Sequence, residues 1–209
     1  TRRAYIRQIA SPSFSPSKSL TKALLAQLPF EMTQAQKRVS KEIVTDLKQN
    51  RPMLRLVQGD VGAGKTLVAA VAACHTLEAG WQVALMAPTE ILAEQHYLNF
   101  KRWFEPLGIQ VAWLSGKQKG KARTQAELTI KTGEAQLVVG THALFQDTVE
   151  FAKLGLVIID EQHRFGVDQR LALRNKGNDQ LTPHQLVMTA TPIPRTLAMS
   201  AYGDLDTSI

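Results

Sequence analysis

Gly59-Asp60-Val61-Gly62-Ala63-Gly64-Lys65-Thr66 fits the pattern G-x-x-x-x-G-K-[ST] at every fixed position. Glycines at this spacing let the chain turn tightly and bring backbone N–H groups against a polyphosphate with no side chain in the way. Lys65 adds a full positive charge near the β- and γ-phosphates, and the Thr66 hydroxyl is a ligand for Mg²⁺. A helix opening at the same point directs its positive end at the anion. A strand-to-helix turn that binds nothing would have no need of Lys and Thr straight after the last glycine.

A second cluster of chemistry follows Leu156-Val157-Ile158-Ile159, where the chain runs directly into Asp160-Glu161. A buried strand ending in two acids delivers both to one edge of a sheet, and successive side chains leave in different directions, so the pair can divide its labour. Asp160 would hold Mg²⁺, directly or through water, and Glu161 would orient and deprotonate an attacking water. Two solvated acids at a strand end are the bland alternative, weakened here by the complete phosphate loop. Lys65, Asp160 and Glu161 are thus the candidate catalytic residues, and Thr66 and Asp160 the candidate metal ligands.

These groups need a scaffold that brings loops to one edge. Short apolar runs at Leu54–Val57, Val83–Met86, Ile109–Leu114, Leu137–Val139, Leu156–Ile159 and Leu186–Met188 predict strands. Helical patterns lie between most of them, from Lys65 to about Ala79 and again after Thr89. Near-continuous apolar strands alternating with helices imply an α/β fold, a mostly parallel sheet covered on both faces. Such a sheet binds ligands at the carboxyl ends of its strands. Upstream, Leu24, Leu25 and Leu28 predict a short helix ending at Pro29, and Val39, Ile43, Val44 and Leu47 predict an amphipathic helix after Thr33. The Ser- and Pro-rich stretch at 11–19 reads as a flexible connection, giving an arm over 1–19 and one domain over 20–209.

Composition excludes several classes. With 44% hydrophobic and 21% charged residues the 209-residue chain is an ordinary folded protein and no disordered tail. The single Cys74 rules out an internal disulfide framework and a Cys-based zinc site, and suits a reducing cytoplasm. No apolar run approaches the roughly 18 residues of a membrane span. The absence of an initiating Met reads as a processed chain or an excised fragment. A net charge of +7 makes a polyanionic partner plausible.

Asp160-Glu161-Gln162-His163, the phosphate loop and Thr189-Ala190-Thr191-Pro192 together resemble superfamily 2 helicases and translocases. Ala87-Pro88-Thr89-Glu90-Ile91-Leu92-Ala93-Glu94-Gln95-His96 and the runs 160–166 and 189–196 narrow the likeness to the RecG-type family of bacterial branched-DNA helicases, from about residue 20 onward. Transcription-repair coupling translocases share much of this pattern but usually carry Glu where this chain has Gln162. Ala63 departs from the family's usual Ser at a variable loop position.

The resemblance implies a RecA-like P-loop motor domain that uses ATP and Mg²⁺. It implies that Phe30 and Gln36 recognise adenine, although Thr33 and Gln36 also have capping-box spacing. By the same likeness, Pro88, Thr89, Gly140, Thr141 and His142 contact a nucleic-acid backbone, with an N-cap role open for Thr89. Gln162, His163, Thr189 and Thr191 couple nucleotide state to DNA grip, the hydroxyls bonding to Asp160 or His163 or simply serving a turn. Lys117, Lys119, Lys121 and Arg123 would extend the DNA track or form a solvated face. Trp81, Trp103 and Trp113 read as packing residues. The implied partners are branched duplex DNA, a second motor domain and an N-terminal branch-recognition domain, with no membrane. A module with a vestigial nucleotide site is the competing class, and the intact Lys65, Thr66, Asp160 and Glu161 argue against it.

Overall fold

Strand residues sort by parity into two rows, each feeding a separate core. Val83 and Leu85, Leu137 and Val139, Leu156 and Ile158, and Leu186 and Met188 enter one core with the helices at the front. Ala84 and Met86, Val138, Val157 and Ile159, and Val187 enter a second core with Ile130, Leu144 and Phe151. That alternation is the signature of a sheet buried on both faces. Each fully buried Leu, Ile or Val contributes roughly 1.5–3 kcal/mol.

The computed structural model describes residues 19–28, 31–49, 53–58, 63–146, 148–161, 183–189 and 206–208. In these the chain forms helix α1 (Ser19–Ala26), α2 (Gln34–Leu47), strand β1 (Leu54–Gln58), α3 (Ala63–Glu78), β2 (Gln82–Met86) and α4 (Glu90–Phe104). There follow β3 (Val111–Leu114), α5 (Gly120–Thr132), β4 (Leu137–Gly140), β5 (Leu154–Glu161), β6 (His184–Thr189) and β7 (Asp206–Ser208). The strand order is β3-β4-β2-β5-β6-β1-β7, and every described pairing is parallel. Of the arm expected over 1–19, residues 1–18 lie outside the described residues, and Ser19 belongs instead to the first turn of α1.

α3 is apolar almost all round, with Leu67 through Leu77 buried. The reason is its position: the sheet lies on one side, and α1 and α2 pack on the other. Small residues at Ala69, Ala70, Ala72 and Ala73 permit that close approach. α2 buries Val39, Ser40, Ile43 and Leu47, while Val44 sits at the shoulder of the stripe. Arg55 clamps α2 to β1, donating from Nε at 2.8 Å and Nη2 at 2.6 Å to Asp46 Oδ2. Gln82 is buried but fully used: its Nε2 donates to Ile130 O at 3.0 Å and Ala135 O at 2.8 Å, and its Oε1 accepts from Lys153 N at 2.7 Å.

Three details differ from the sequence reading. β3 starts at Val111 rather than Ile109, because the chain first closes a 3-10 turn at Glu105–Leu107 that ends on Gly108 at φ 82°. β5 begins two residues earlier than Leu156, with an irregular register opposite Gln82 and Val83. β7 carries Asp206, Thr207 and Ser208, and no apolar run announces it. The tryptophans pack as read, Trp103 in the core and Trp81 and Trp113 against it.

Candidate functional site

Register brings the candidate residues to one rim. Gln58 at the end of β1 pairs with Thr189 at the end of β6, and Thr189 pairs with Glu161 at the end of β5. Met86 lies level with Ile159 and with Gly140, and Gly140 with Leu114. Parallel strands stand about 4.8 Å apart, so β1 and β5, with β6 between them, end roughly 10 Å from each other. The chain leaving β1 re-enters the described residues at Ala63 and Gly64, which open α3, and Lys65 and Thr66 follow half-buried in its first turns. Gly59, Asp60, Val61 and Gly62 lie outside the described residues, as do Phe30, Gln162, His163 and Thr191.

Parity decides what each acid faces. Asp160 continues the row of Leu156 and Ile158, on the face covered by α3 and α4. There His96, from the second turn of α4, donates from Nε2 to Asp160 Oδ2 at 2.5 Å, with 10% of the His96 and 18% of the Asp160 side chain exposed. The ladder sets Thr189 beside Glu161, and Met188 beside Asp160. Thr189 is buried on the Val187 face, so its place in the sheet associates it with Glu161.

Gln36 completes a capping box. Its N–H donates to Thr33 Oγ1 at 3.2 Å, and its Oε1 accepts from Thr33 N at 2.8 Å. Two backbone donors at the start of α2, those of Thr33 and Gln36, are thereby satisfied. The Nε2 amino group of the same side chain remains a donor of a kind that a base edge accepts.

The candidate backbone-contact residues divide by exposure. Thr89 and His142 are exposed and Pro88 is half-buried, whereas Gly140 and Thr141 are buried. Thr89 caps α4, its Oγ1 accepting from Leu92 N at 3.2 Å. The Thr141 hydroxyl turns inward and accepts from Ala143 N at 3.5 Å, while its N–H donates to Leu114 O at 3.2 Å. Lys117, Lys119 and Lys121 are exposed, but Arg123 is absorbed internally. Its Nε donates to Glu127 at 2.7 Å, Nη1 to Ser115 O at 3.0 Å, and Nη2 to Gln146. The basic cluster therefore presents three lysines to solvent, Lys117 and Lys119 on the loop before α5 and Lys121 in its first turn, with Arg123 bracing that loop.

Two contacts escaped the sequence reading. His96 was the larger omission, although Ala93, His96, Phe100 and Trp103 form the buried stripe of α4 and a histidine within such a stripe is a signal. The other is Ser115, which donates from Oγ to Glu90 Oε1 at 2.8 Å and so ties the start of α4 to the lysine-bearing loop. Away from the rim, burial pushes the Cys74 thiol up from 9.0 to about 12, and the nearby Glu78 charge adds to the effect.

With this geometry in place, likeness to known proteins becomes informative. Residues 33–200 match the family model described as DEAD/DEAH box helicase. The chain is 64% identical over 204 residues to the ATP-dependent DNA helicase RecG of Pasteurella multocida (strain Pm70), covering 97% of this chain and 29% of that protein. It is 61% identical over 208 residues to the protein of the same name from Escherichia coli (strain K12), covering 99% of this chain and 30% of that protein. The structure of RecG bound to a three-way DNA junction superposes with a TM-score of 0.84 at 41% identity, over 100% of this chain and 28% of that one. MrfA, a DUF1998 helicase bound to DNA and AMPPNP, superposes with a TM-score of 0.69 over 97% of this chain and 30% of its own; at 15% identity it speaks for the fold alone. The chain spans about three-tenths of the length of the curated relatives it matches.

Proposed function

The chain belongs to the DEAD/DEAH box helicase family, and on that footing we propose that it is the ATP-binding motor half of a RecG-type helicase that moves on branched duplex DNA. The observation that carries the reading is the shared register of Gln58, Thr189 and Glu161, which sends the phosphate loop and the acid pair off the same rim. Membership makes ATP the fuel. Work at replication forks and recombination intermediates, in the bacterial cytoplasm where the chromosome lies, is the role that follows from branched-DNA processing.

In this reading the loop 59–66 wraps the phosphates, Lys65 neutralises the β- and γ-oxygens, and Glu161 orients the attacking water and takes its proton. Gln36 pairs with adenine, and Phe30 packs against the base. A carboxylate with a threonine hydroxyl is the hard oxygen set that suits Mg²⁺, and Asp160 keeps part of its surface exposed at the rim. Thr66 and Asp160 would hold the ion, which when bound offsets charge developing on the phosphates. Thr189, beside Glu161 in the ladder, then senses the loss of phosphate together with Gln162, His163 and Thr191.

DNA lies across the neighbouring part of the rim. Pro88, Thr89, Gly140, Thr141 and His142 form the track, with exposed Thr89 and His142 as its contact surface and Lys117, Lys119 and Lys121, on the β3–α5 loop and the start of α5, extending it. The remaining parts, a second motor domain and a branch-recognition domain, come from the rest of a parent chain. The second domain supplies an arginine to the transition state. Such a finger is worth ~10³–10⁵ in rate, which is about 4–7 kcal/mol of barrier.

ATP hydrolysis should therefore be compared between this 209-residue chain and its full-length parent, with and without a three-way DNA junction. The isolated chain is expected to retain residual turnover at most and to unwind nothing. Turnover within tenfold of the parent would overturn the division of labour between two motor halves.

A further inference from the structure

α4 carries a nucleic-acid candidate and a nucleotide-site contact on one rigid rod. Thr89 caps its exposed start, and His96 lies seven residues further along, roughly 10 Å down the axis. The His96 ring is buried and meets Phe100 edge-on, with centroids 6.5 Å apart and planes at 68°. Phe100 is in turn held by Trp103 and Phe104, each 5.6 Å away. Nε2 donates to Asp160 Oδ2 at 2.5 Å, while Nδ1 is buried with no partner among the described residues. A buried nitrogen without a partner is costly, so packing alone would favour an apolar residue here. What histidine adds is the bond to Asp160.

We propose that His96 is a positioning residue. It fixes the Asp160 carboxylate by one oxygen and makes the setting of that carboxylate follow the helix that begins at Thr89. A carboxylate turns easily about its terminal torsion, and a charge-assisted hydrogen bond from an aromatic-braced ring removes that freedom. Because α4 is continuous from Thr89 to Phe104, a backbone phosphate seated at its start would tilt the same rod that grips the acid. The proposal rests on the reading of Asp160 as the Mg²⁺-holding acid, and extends it to a residue on a different element.

The test uses the full-length chain and the variants His96→Ala, His96→Asn, His96→Gln and Asp160→Asn. Two quantities are read. One is the Mg²⁺ concentration that half-saturates binding of a fluorescent ATP analogue at equilibrium; the other is the stimulation of hydrolysis by a three-way DNA junction. Outer partners of metal ligands are worth about 10–100-fold in metal affinity. His96→Ala should raise the Mg²⁺ requirement by that factor, leave Mg²⁺-free nucleotide binding unchanged and weaken DNA stimulation.

His96→Gln places an amide N–H at the reach of Nε2 and should restore most of both quantities. His96→Asn is polar but too short and should behave like the alanine variant, which keeps the comparison decisive if His96→Ala does not fold. Asp160→Asn should abolish the Mg²⁺ dependence. If it does, while His96→Ala and His96→Asn stay within twofold of wild type or bind Mg²⁺ more tightly, the positioning role is wrong. If Asp160→Asn itself leaves the Mg²⁺ dependence intact, the assignment of Asp160 fails, and the proposal falls with it.

Discussion

Gly140 lies so close to the carbonyl of Leu114 that an added Cβ would sit 1.9 Å from the oxygen and 2.9 Å from the carbon. The two residues are partners in the β3–β4 ladder, and the next N–H, from Thr141, donates to that same carbonyl at 3.2 Å. The obstacle is backbone, which cannot swing away as a flexible side chain would. Glycine at this position is therefore required by sheet packing at the rim, independently of any contact with a nucleic acid.

Gly140→Ala is expected to cost about 2–3 kcal/mol, the upper part of the usual range for overpacking. For a chain of this size each kcal/mol lowers the melting midpoint by about 2–4 °C. Thermal or urea unfolding reads it directly. Wild-type stability in this variant would mean that β3 and β4 separate more easily than their ladder implies.

Gln36 serves the helix cap by its backbone N–H and its carbonyl oxygen, and would serve adenine by its amino group. Gln36→Glu keeps an acceptor for Thr33 N and deletes that donor. Stability should stay within about 0.5 kcal/mol of wild type. ATP affinity, and the preference for ATP over GTP, should both fall. Equal ATP binding by this variant would reduce Gln36 to a capping residue.

Glu161→Gln removes the proposed base while preserving size and hydrogen-bonding reach. Hydrolysis should drop by ~10²–10⁴, with binding of a fluorescent ATP analogue unchanged. Lys65→Ala should instead weaken that binding, because it removes a charge from the phosphates. Single-turnover assays separate the two effects, and unchanged turnover in Glu161→Gln would take that residue out of the chemistry.

Cys74 is buried and its thiol is pushed up to about 12 from 9.0, first by burial and then by Glu78. The folded chain thus keeps the proton at pH values where the unfolded chain releases it. The unfolded state then binds fewer protons, so stability falls as pH rises from 9.0 toward about 12. Below 9.0 the thiol is protonated in both states and this contribution is flat. Urea unfolding of wild type and Cys74→Ala across that window should show a steeper decline in wild type. Parallel curves would exclude Cys74 as the cause.

The sequence reading recovered most of the scaffold for an identifiable reason. Runs such as Val83–Met86 and Leu156–Ile159 are apolar on consecutive residues, a pattern that a sheet covered on both faces requires and a one-sided sheet does not. β7 was illegible because Asp206, Thr207 and Ser208 are held by pairing with β1 and carry no apolar signature. The boundary at Val111 was missed because Ile109 is buried while its backbone still belongs to the turn closed by Gly108.

Residue order along the chain was enough to propose a chemistry for the rim: glycines, lysine and threonine suited to phosphates, and two acids at the end of an apolar strand. Those are local patterns, written in neighbouring residues. Folding alone settled which partners meet. His96 reaches Asp160 across 64 positions of chain because even parity on β5 and the inner stripe of α4 face one another. Arg123 turns away from its three lysines because Ser115, Glu127 and Gln146 surround it. Contacts of that kind depend on strand order and on which side of the sheet each helix crosses, and both are set by the collective packing of two cores.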